Sequence, residues 1–302
     1  AVVGHDGRQD ARAFTETVQV GEKLEKLSEI TAVQREKQAL IVHDWQNKWA
    51  LEGSCGPRNA GLGYWDELKR HYNALARAGI AVEFGDETAD LTGYRLVVVP
   101  MLYLLTDAFA KKLCDFAQSG GTIVVTYWTG VVDESDLCRL GDTPYGLTEL
   151  LGLRRTEIDG MYDGETRRCT PVDGCTLPET QASILCEVAV PNDNDPAKPL
   201  CVYAEDYFAQ HPAAAVHKYG AGRAYYLASR FDEDFYRTFY RDAAKELGLT
   251  QAWPQPLPAG VLAVKRGNFV LVQNCTEQPV TVGERELPRY GTAVWNESQC
   301  VL

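Results

Sequence analysis

The pattern of apolar and polar positions divides the chain into stretches of different character. Residues 10–36 carry apolar side chains near one helical face, among them Phe14, Val18 and Leu24. This spacing predicts a helix, with Asp10 as its N-cap, whose apolar stripe needs a partner to bury it. From there to about residue 150, short apolar runs alternate with amphipathic stretches. Beyond residue 150 the helical pattern thins and short strands dominate.

The alternating stretch predicts the fold class. Arg95–Val99 and Thr122–Tyr127 each contain consecutive apolar residues, LVVV and IVV. Such uninterrupted runs are typical of central parallel strands that are covered on both faces. Trp65–Ala78 and Asp107–Gln118 have helical periodicity, and Thr106 is a suitable N-cap for the second helix. Strands that alternate with helices of this length indicate an α/β fold with a doubly wound, mostly parallel sheet.

The last third of the chain predicts strands, a closing helix and a linker. The helix is Phe231–Leu247, ended by Gly248, and the linker is the proline-rich WPQPLP at 253–258. Beyond it we expect a small antiparallel β-domain. The predicted strands on both sides of the linker are Ile184–Val190, Leu200–Ala204, Ala214–Lys218, Arg223–Ala228, Val261–Lys265, Asn268–Gln273, Pro279–Val282 and Thr292–Trp295.

Composition excludes several classes of function. The net charge of −12 disfavours binding to nucleic acid or to anionic membranes, and no apolar run is long enough to span a bilayer. The nine cysteines contain no CxxC pair, so we expect neither a structural metal site nor any cofactor. The first residues do not have the basic start and apolar core of a secretory signal, so free thiols in a reducing cytoplasm are expected. The chain begins at Ala1 without Met, as expected of a processed start or of coding sequence removed upstream.

Candidate catalytic residues are few. A hydrolase on this fold needs a nucleophile at a sharp turn after a strand, but the comparable turn, TYWTGVVD at 126–133, has no Cys or Ser at its apex. Cys114 lies within a predicted helix and is expected to be a buried structural thiol. His43 and Asp44 are adjacent on a strand and therefore point to opposite faces. The acidic groups at 133–134, 205–206 and 232–234 are expected in solvated loops and at a helix N-terminus rather than as a catalytic pair.

Two tryptophans in HDWQNKWALE, Trp45 and Trp49, are the candidate ligand contacts. An indole face can stack on a sugar ring, and the same residue type packs in cores and in subunit interfaces. Interface or core packing is the alternative to sugar binding at these positions.

The chain resembles the C-terminal half of bacterial family-42 β-galactosidases. The similarity is carried by HDWQNKWALE at 43–52, by LVVVPMLYLL, GGTIVVTY and GVVDESD in order between 96 and 136, and by HPAAAVHKYGAGRAYYLASR at 211–230. The family's usual acidic residue and further Trp near the first motif are replaced by Gln46 and Lys48. This departure weakens the case that the segment reaches a neighbouring subunit's sugar pocket.

The resemblance implies an organisation and a function. Residues 1–36 would be the tail of a (β/α)8 barrel and its exit helix, 37–250 a trimerisation domain with a fold similar to class I glutamine amidotransferases and flavodoxins, and 259–302 the β-domain. Both family glutamates would lie upstream of residue 1, so no residue here is assigned a catalytic role. We therefore expect the homotrimeric, non-catalytic part of a cytoplasmic enzyme that hydrolyses terminal β-D-galactosides with retention. The alternative is a standalone module from the same domain that binds a carbohydrate or a partner protein.

Overall fold

The computed structural model describes residues 2–34, 36–54, 56, 61–255, 257–297 and 299–301. The chain forms two compact units. One is Lys37–Thr250, and the other combines Ala1–Glu36 with Gln251–Leu302. The N-terminal segment and the C-terminal strands therefore belong to the same unit.

Three of the described helices begin and end close to the positions predicted at 65–78, 107–118 and 231–247. The described helices are α1 Arg12–Lys26, α2 Trp45–Gly53, α3 Tyr64–Arg77, α4 Asp107–Gln118, α5 Thr148–Leu151 and α6 Glu233–Leu247, with a 3₁₀ helix at Ser28–Ala32. The predicted α4 and its cap are confirmed, because the Thr106 hydroxyl accepts the Phe109 N–H. Helices α2 and α5 were not expected.

The strands of the larger unit are β1 Ala39–Val42, β2 Val82–Gly85, β3 Leu96–Val99, β4 Thr122–Thr126, β5 Leu153–Gly160, β6 Thr166–Pro171, β7 Thr180–Pro191, β8 Lys198–Tyr203, β9 Pro212–Tyr219, β10 Gly222–Leu227 and β11 Ser229–Arg230. The strands of the smaller unit are β12 Val261–Arg266, β13 Phe269–Asn274, β14 Val280–Val282, β15 Arg285–Leu287, β16 Thr292–Asn296 and β17 Gln299–Cys300. Strands β5, β6, β11, β15 and β17 had no clear sequence signal.

The described part of the larger unit contains one 11-stranded mixed sheet. Its order is β11-β7-β6-β8-β9-β10-β4-β3-β1-β2, with β5 on β7. Strands β2, β1, β3, β4 and β10 run parallel. From β9 onward every pairing is antiparallel. The expected mostly parallel sheet is therefore wrong for that half, where hairpin connections replace helical crossovers.

The parallel half is covered on both faces, as predicted for a doubly wound sheet. Alternate residues of β3 enter different cores: Val98 belongs to the core that contains Leu68 of α3 and Phe235 of α6. Val97 belongs to the core that contains Leu113 of α4. All four residues of β3 are buried because helices lie on each side.

The smaller unit has a four-stranded antiparallel sheet, β12-β13-β16-β17, and a hairpin of β14 and β15. Ile30 packs with Phe269 and Val294, which joins the N-terminal segment to this sheet. The predicted single helix over 10–36 is wrong in its bounds: α1 ends at Lys26, and its N-cap is Ala11, not Asp10. None of the residues of α1 is buried.

Candidate functional site

The carboxyl end of β1 leads directly into α2 and places two tryptophans at the surface. The Asp44 carboxylate accepts the Asn47 N–H at 2.8 Å and so caps α2. Trp45 and Trp49, four residues apart on this helix, share one face and are 53% and 55% exposed. Because carboxyl ends of parallel strands are where α/β proteins collect ligands, this is the candidate site.

Five rings meet here, and we call them the tryptophan cluster. The centroid of Trp45 lies 6.2 Å from that of Trp49 and 5.6 Å from that of Trp65. The His43 ring stacks on Trp65 at 4.8 Å and on Tyr64 at 6.0 Å. Sequence reasoning missed Trp65 because it sits in the first turn of α3, where its position resembles ordinary helix packing. Exposed indole faces in contact can stack on apolar faces of a ligand or pack against another protein.

His43 and Asp44 do not act as a base and its orienting acid. Asp44 is used as the cap of α2, whereas the His43 ring lies among the aromatic side chains. Burial lowers the pKa of His43, which favours the neutral imidazole. Its Nε2 atom is buried and has no hydrogen-bond partner within the described residues.

Asn47 fixes α2 to the end of β3. Its fully buried amide donates to the Met101 carbonyl at 3.0 Å and accepts the Leu104 N–H at 3.0 Å. Met101 itself has a positive φ of 43°, so the backbone turns sharply at this point. Asn47 therefore positions the helix that presents Trp45 and Trp49.

The turn after β4, where a hydrolase of this fold would hold a nucleophile, has Trp128 at its apex with φ 58°. The backbone N–H of Trp128 donates to the Glu187 carboxylate at 2.9 Å. Glu187 is also bonded to Arg155 at 2.7 Å and to Tyr226. Acyl transfer needs a free N–H at this turn to stabilise the oxyanion. The N–H at this position is already hydrogen-bonded to a carboxylate, so the turn is not suited to acyl transfer.

A second buried glutamate lies between α3 and α6. Glu67 is fully buried and forms an ion pair with the Arg230 Nε at 2.7 Å. Burial alone raises the pKa of Glu67, but hydrogen bonding and charge from His71 and Arg230 hold it at about 2. Its remaining hydrogen-bond donors are Tyr127 and Tyr236, at 3.0 and 2.9 Å.

The other acidic groups behave as expected of solvated loops and caps. Asp232 caps α6 by accepting the Phe235 N–H, and Asp133 closes a tight turn by accepting the Ser135 N–H. Asp206 pairs with Arg167 at 2.9 Å. These contacts give each of the three carboxylates a structural role.

Cys114 is half-buried rather than fully buried. Its Sγ donates to the Gly146 carbonyl at 3.7 Å, and burial followed by the nearby Asp115 raises its pKa. A thiol with a raised pKa is a poor nucleophile. Cys55 lies outside the described residues. Within the described ranges, no group of three or more His, Cys, Asp or Glu side chains could hold a metal ion.

Over the part of the chain that the structure describes, no helix combines the length and apolar character that crossing a membrane requires.

Comparison with known proteins decides the family. Residues 37–250 match the family model of the β-galactosidase trimerisation domain. The chain belongs to this family. The trimerisation domain thus coincides in range with the larger compact unit, which carries the tryptophan cluster and both buried glutamates.

Relatives of the trimerisation domain extend the match. β-Galactosidase BglY of Alicyclobacillus acidocaldarius is 40% identical over 303 residues, which cover 97% of this chain and 44% of BglY. Among solved structures, a β-galactosidase from Rahnella sp. R3 has a TM-score of 0.89 at 36% identity, covering 97% of this chain and 46% of that one. Gan42B, a GH42 β-galactosidase, has a TM-score of 0.86 at 30% identity, with 97% and 45% covered.

The resemblance to family-42 enzymes is therefore confirmed. The chain spans less than half the length of the curated relatives it matches.

Proposed function

We propose that this chain is the non-catalytic, self-associating part of a β-galactosidase that forms a homotrimer and cleaves terminal non-reducing β-D-galactosides with retention. The observation that carries the proposal is the match of residues 37–250 to the trimerisation-domain family. The relatives named β-galactosidase supply the substrate class.

The state of the buried glutamates supports the absence of catalysis. A retaining glycosidase needs one carboxylic acid of raised pKa to protonate the leaving group and a second carboxylate as nucleophile. Glu67 has a lowered pKa, and Glu187 is held by Arg155. Both are therefore suited to charge pairing inside the fold and not to proton transfer.

Inertness is tested by supplying a chromogenic β-galactoside to the 302-residue chain. We expect no turnover above background. Asp159, whose pKa is raised by partial burial and by Asp206, is the carboxylate most worth substituting if activity is seen. Turnover that survives purification would contradict the proposal, and its loss in Asp159→Asn would assign that activity to Asp159.

Self-association is tested by the mass of the chain in solution. Sedimentation velocity should give three times the mass of a single 33.5 kDa chain. A single-chain mass at every concentration would refute self-association by this chain.

We also propose the finer organisation. Residues 37–250 would have the amidotransferase-like fold, with Trp128 at the position of the absent nucleophile. Residues 1–36 would correspond to the end of a catalytic barrel and its exit helix, and 259–302 to the C-terminal β-domain that packs with this segment. The exposed, unburied α1 supports this role for the first segment. We propose the cytoplasm as the location of the enzyme.

Trp45 and Trp49 are proposed as the rim of a sugar pocket, because both indole faces are about half exposed. Titration of the chain with lactose should change tryptophan fluorescence, and Trp45→Ala with Trp49→Ala should abolish the change. Phe84→Ala, at another exposed aromatic residue, should leave it intact. A response unchanged in the double variant would refute the assignment. A response with no self-association would instead favour the standalone binding module.

A further inference from the structure

Four Asp-Gly dipeptides occur in the chain, at 6–7, 159–160, 163–164 and 173–174. Asp-Gly is the aspartyl sequence most prone to cyclisation, because glycine has no side chain to hinder attack of its own nitrogen on the aspartyl carboxyl group. The fold places the four dipeptides in different environments. Since the reacting pair is the same at each, differences in reactivity arise from the local structure.

Cyclisation joins the backbone nitrogen of the glycine to Cγ of the aspartate. The nitrogen loses its proton and the carboxyl group loses its hydroxyl, so one water molecule leaves and a five-membered succinimide remains. Water then adds to one of the two ring carbonyls. Opening at Cγ restores aspartate, whereas opening at the backbone carbonyl gives isoaspartate, with no net change in atoms. The reaction is fastest where the nitrogen, the carboxyl group and the backbone torsions are all unrestrained.

Asp173 and Gly174 form an exposed turn between β6 and β7. The Cys175 N–H donates to the Val172 carbonyl at 3.0 Å and closes the turn. Across the described ranges, neither the Gly174 N–H nor the Asp173 carboxylate takes part in a hydrogen bond or an ion pair. Gly174 has φ +82°, and a Cβ there would meet nothing within 4 Å. Both reacting groups are therefore unrestrained, and the turn has room to rotate.

The residues on either side of this turn are held by contacts of their own. The Val172 N–H donates to the Leu200 carbonyl at 3.0 Å, and the Thr176 hydroxyl donates to the Asp242 carboxylate at 2.6 Å. Rotation within the turn leaves both contacts in place. Cyclisation at Asp173 therefore needs no more than the single turn hydrogen bond to open.

The dipeptide at 6–7 is restrained at both reacting groups. The Gly7 N–H donates to the Gly4 carbonyl at 2.9 Å. The Asp6 carboxylate accepts the Arg8 N–H at 3.1 Å and pairs with the Arg8 guanidinium. These two contacts also lower the pKa of Asp6 and so favour the ionised carboxylate, which loses its oxygen less readily than the neutral acid.

The dipeptide at 159–160 is restrained by the sheet. Asp159 lies opposite Cys186 of β7, and Gly160 lies opposite Leu185. Partial burial raises the pKa of Asp159, which by itself would favour cyclisation through the neutral acid. The extended backbone of a paired strand fixes the torsions, however, so ring closure requires this part of the ladder to open.

The dipeptide at 163–164 lies in an exposed turn that is closed twice. The Glu165 N–H donates to the Tyr162 carbonyl at 3.1 Å, as in the turn at 173–174. In addition, the Glu165 carboxylate accepts the Tyr162 N–H at 3.0 Å. Rotation of this turn therefore acts against one hydrogen bond more than rotation at Asp173.

We propose that Asp173–Gly174 is the site at which this chain spontaneously converts aspartate to isoaspartate. The inference is independent of the self-association and the activity proposed above. Isoaspartate adds a methylene group to the main chain and leaves the carboxylate on a shorter side chain, so it alters the turn that joins β6 to β7. The new carboxylate is the group that isoaspartyl O-methyltransferases methylate from S-adenosylmethionine. The aged chain is thus a substrate for that class of repair enzyme.

The test ages the folded 302-residue chain in warm, near-neutral heavy-oxygen water and then digests it. Each passage through the succinimide incorporates one heavy oxygen, and chromatography with electron-transfer fragmentation distinguishes isoaspartyl from aspartyl peptides. Isoaspartate at Asp173 should accumulate about tenfold faster than at each of the other three aspartates, the factor expected when those sites must first lose one more hydrogen bond of ordinary strength. Equal or faster accumulation at any of the other three would overturn the proposal.

Two variants and an unfolded sample complete the experiment. Asp173→Glu keeps the charge but would need a six-membered ring, so the aged variant should lose most of the methyl groups that a purified isoaspartyl methyltransferase transfers to the parent. Asp163→Glu is the matched control in the similar turn and should retain them. Circular dichroism confirms that both variants are folded. Parent-level methylation of Asp173→Glu would contradict the assignment.

Ageing in concentrated urea separates the fold from the local sequence. The unfolded chain has none of the restraints described above, so the four dipeptides should convert at similar rates. Preference for Asp173 that persists in urea would show that the neighbouring residues, and not the fold, select the site. That result would overturn the structural basis of the inference.

Discussion

Glu67→Gln removes one charge from a fully buried ion pair without changing the size of the side chain. The Arg230 guanidinium, which is itself buried, then keeps its charge without a counter-ion. Breaking a buried pair in this way typically costs about 3 to 5 kcal/mol. The lowering of the Glu67 pKa from 4.5 to about 2 gives an independent value of about 3 kcal/mol at 1.36 kcal/mol per pH unit.

The two values agree, and they also predict how the loss depends on pH. Since the pKa of Glu67 is lower in the folded chain than in the unfolded chain, its stabilisation is complete above about pH 4.5. It is lost as the pH falls toward 2. The difference in free energy of unfolding between the parent and Glu67→Gln should therefore be about 3 kcal/mol or more at pH 7 and should shrink in acid.

Urea denaturation followed by circular dichroism at several pH values measures this difference. Glu52→Gln is the matched control, because Glu52 is exposed and its ion pair within the described residues is with Lys48. It should change the unfolding free energy by less than about 0.5 kcal/mol. A Glu67→Gln chain as stable as the parent at pH 7, or a loss that is equal at pH 7 and pH 3, would refute the reasoning.

Three further results are expected. Asn47→Ala should lower the unfolding free energy by about 2 to 4 kcal/mol, because it leaves the buried Met101 carbonyl and the partly buried Leu104 N–H without this partner, whereas Asn73→Ala at an exposed position should have little effect. Gly152→Ala should destabilise by more than about 1 kcal/mol in thermal unfolding, because φ is +62° and the new Cβ would lie 2.4 Å from the His217 ring; parent-like stability would show that the ring moves aside. A thiol reagent should react with the exposed cysteines of the native chain and reach the buried ones only on unfolding, and rapid native reaction of the second group would be inconsistent with their burial. The exposed residues are Cys138 and Cys275, and the buried ones are Cys169, Cys186 and Cys201.

Sequence patterns predict most of the parallel half because local signals and tertiary environment agree there. The helix Asp107–Gln118 has its cap, its periodicity and its terminating glycines in order, and its bounds are confirmed. Strand β5 was missed because its sequence, LRRTEIDG, is largely polar and only partly buried. This segment is a strand because it pairs with β7. That contact is tertiary, so the pattern of residues within the segment does not reveal it.

The candidate site divides in the same way. Trp45 and Trp49 could be singled out from their residue type, and their exposure agrees with a role at the surface. The roles of Glu67 and Glu187 could not be predicted, because their partners are distant in the sequence. Arg230, for example, lies 163 residues from Glu67. The sequence alone does not show that such a carboxylate is buried and paired, because its cationic partner comes close only in the folded chain.

Strand β10 has a position with a consequence for synthesis of the chain. It pairs in parallel with β4 and antiparallel with β9, so it joins the two halves of the sheet. Roughly a hundred residues separate β4 from β10, and at ribosomal rates of about 5 to 20 residues per second their emergence takes roughly 5 to 20 s. During that interval the apolar edge of β4 has no neighbour on one side. The nascent chain therefore exposes an unpaired, aggregation-prone strand edge, which we expect a chaperone to bind until β10 is synthesised.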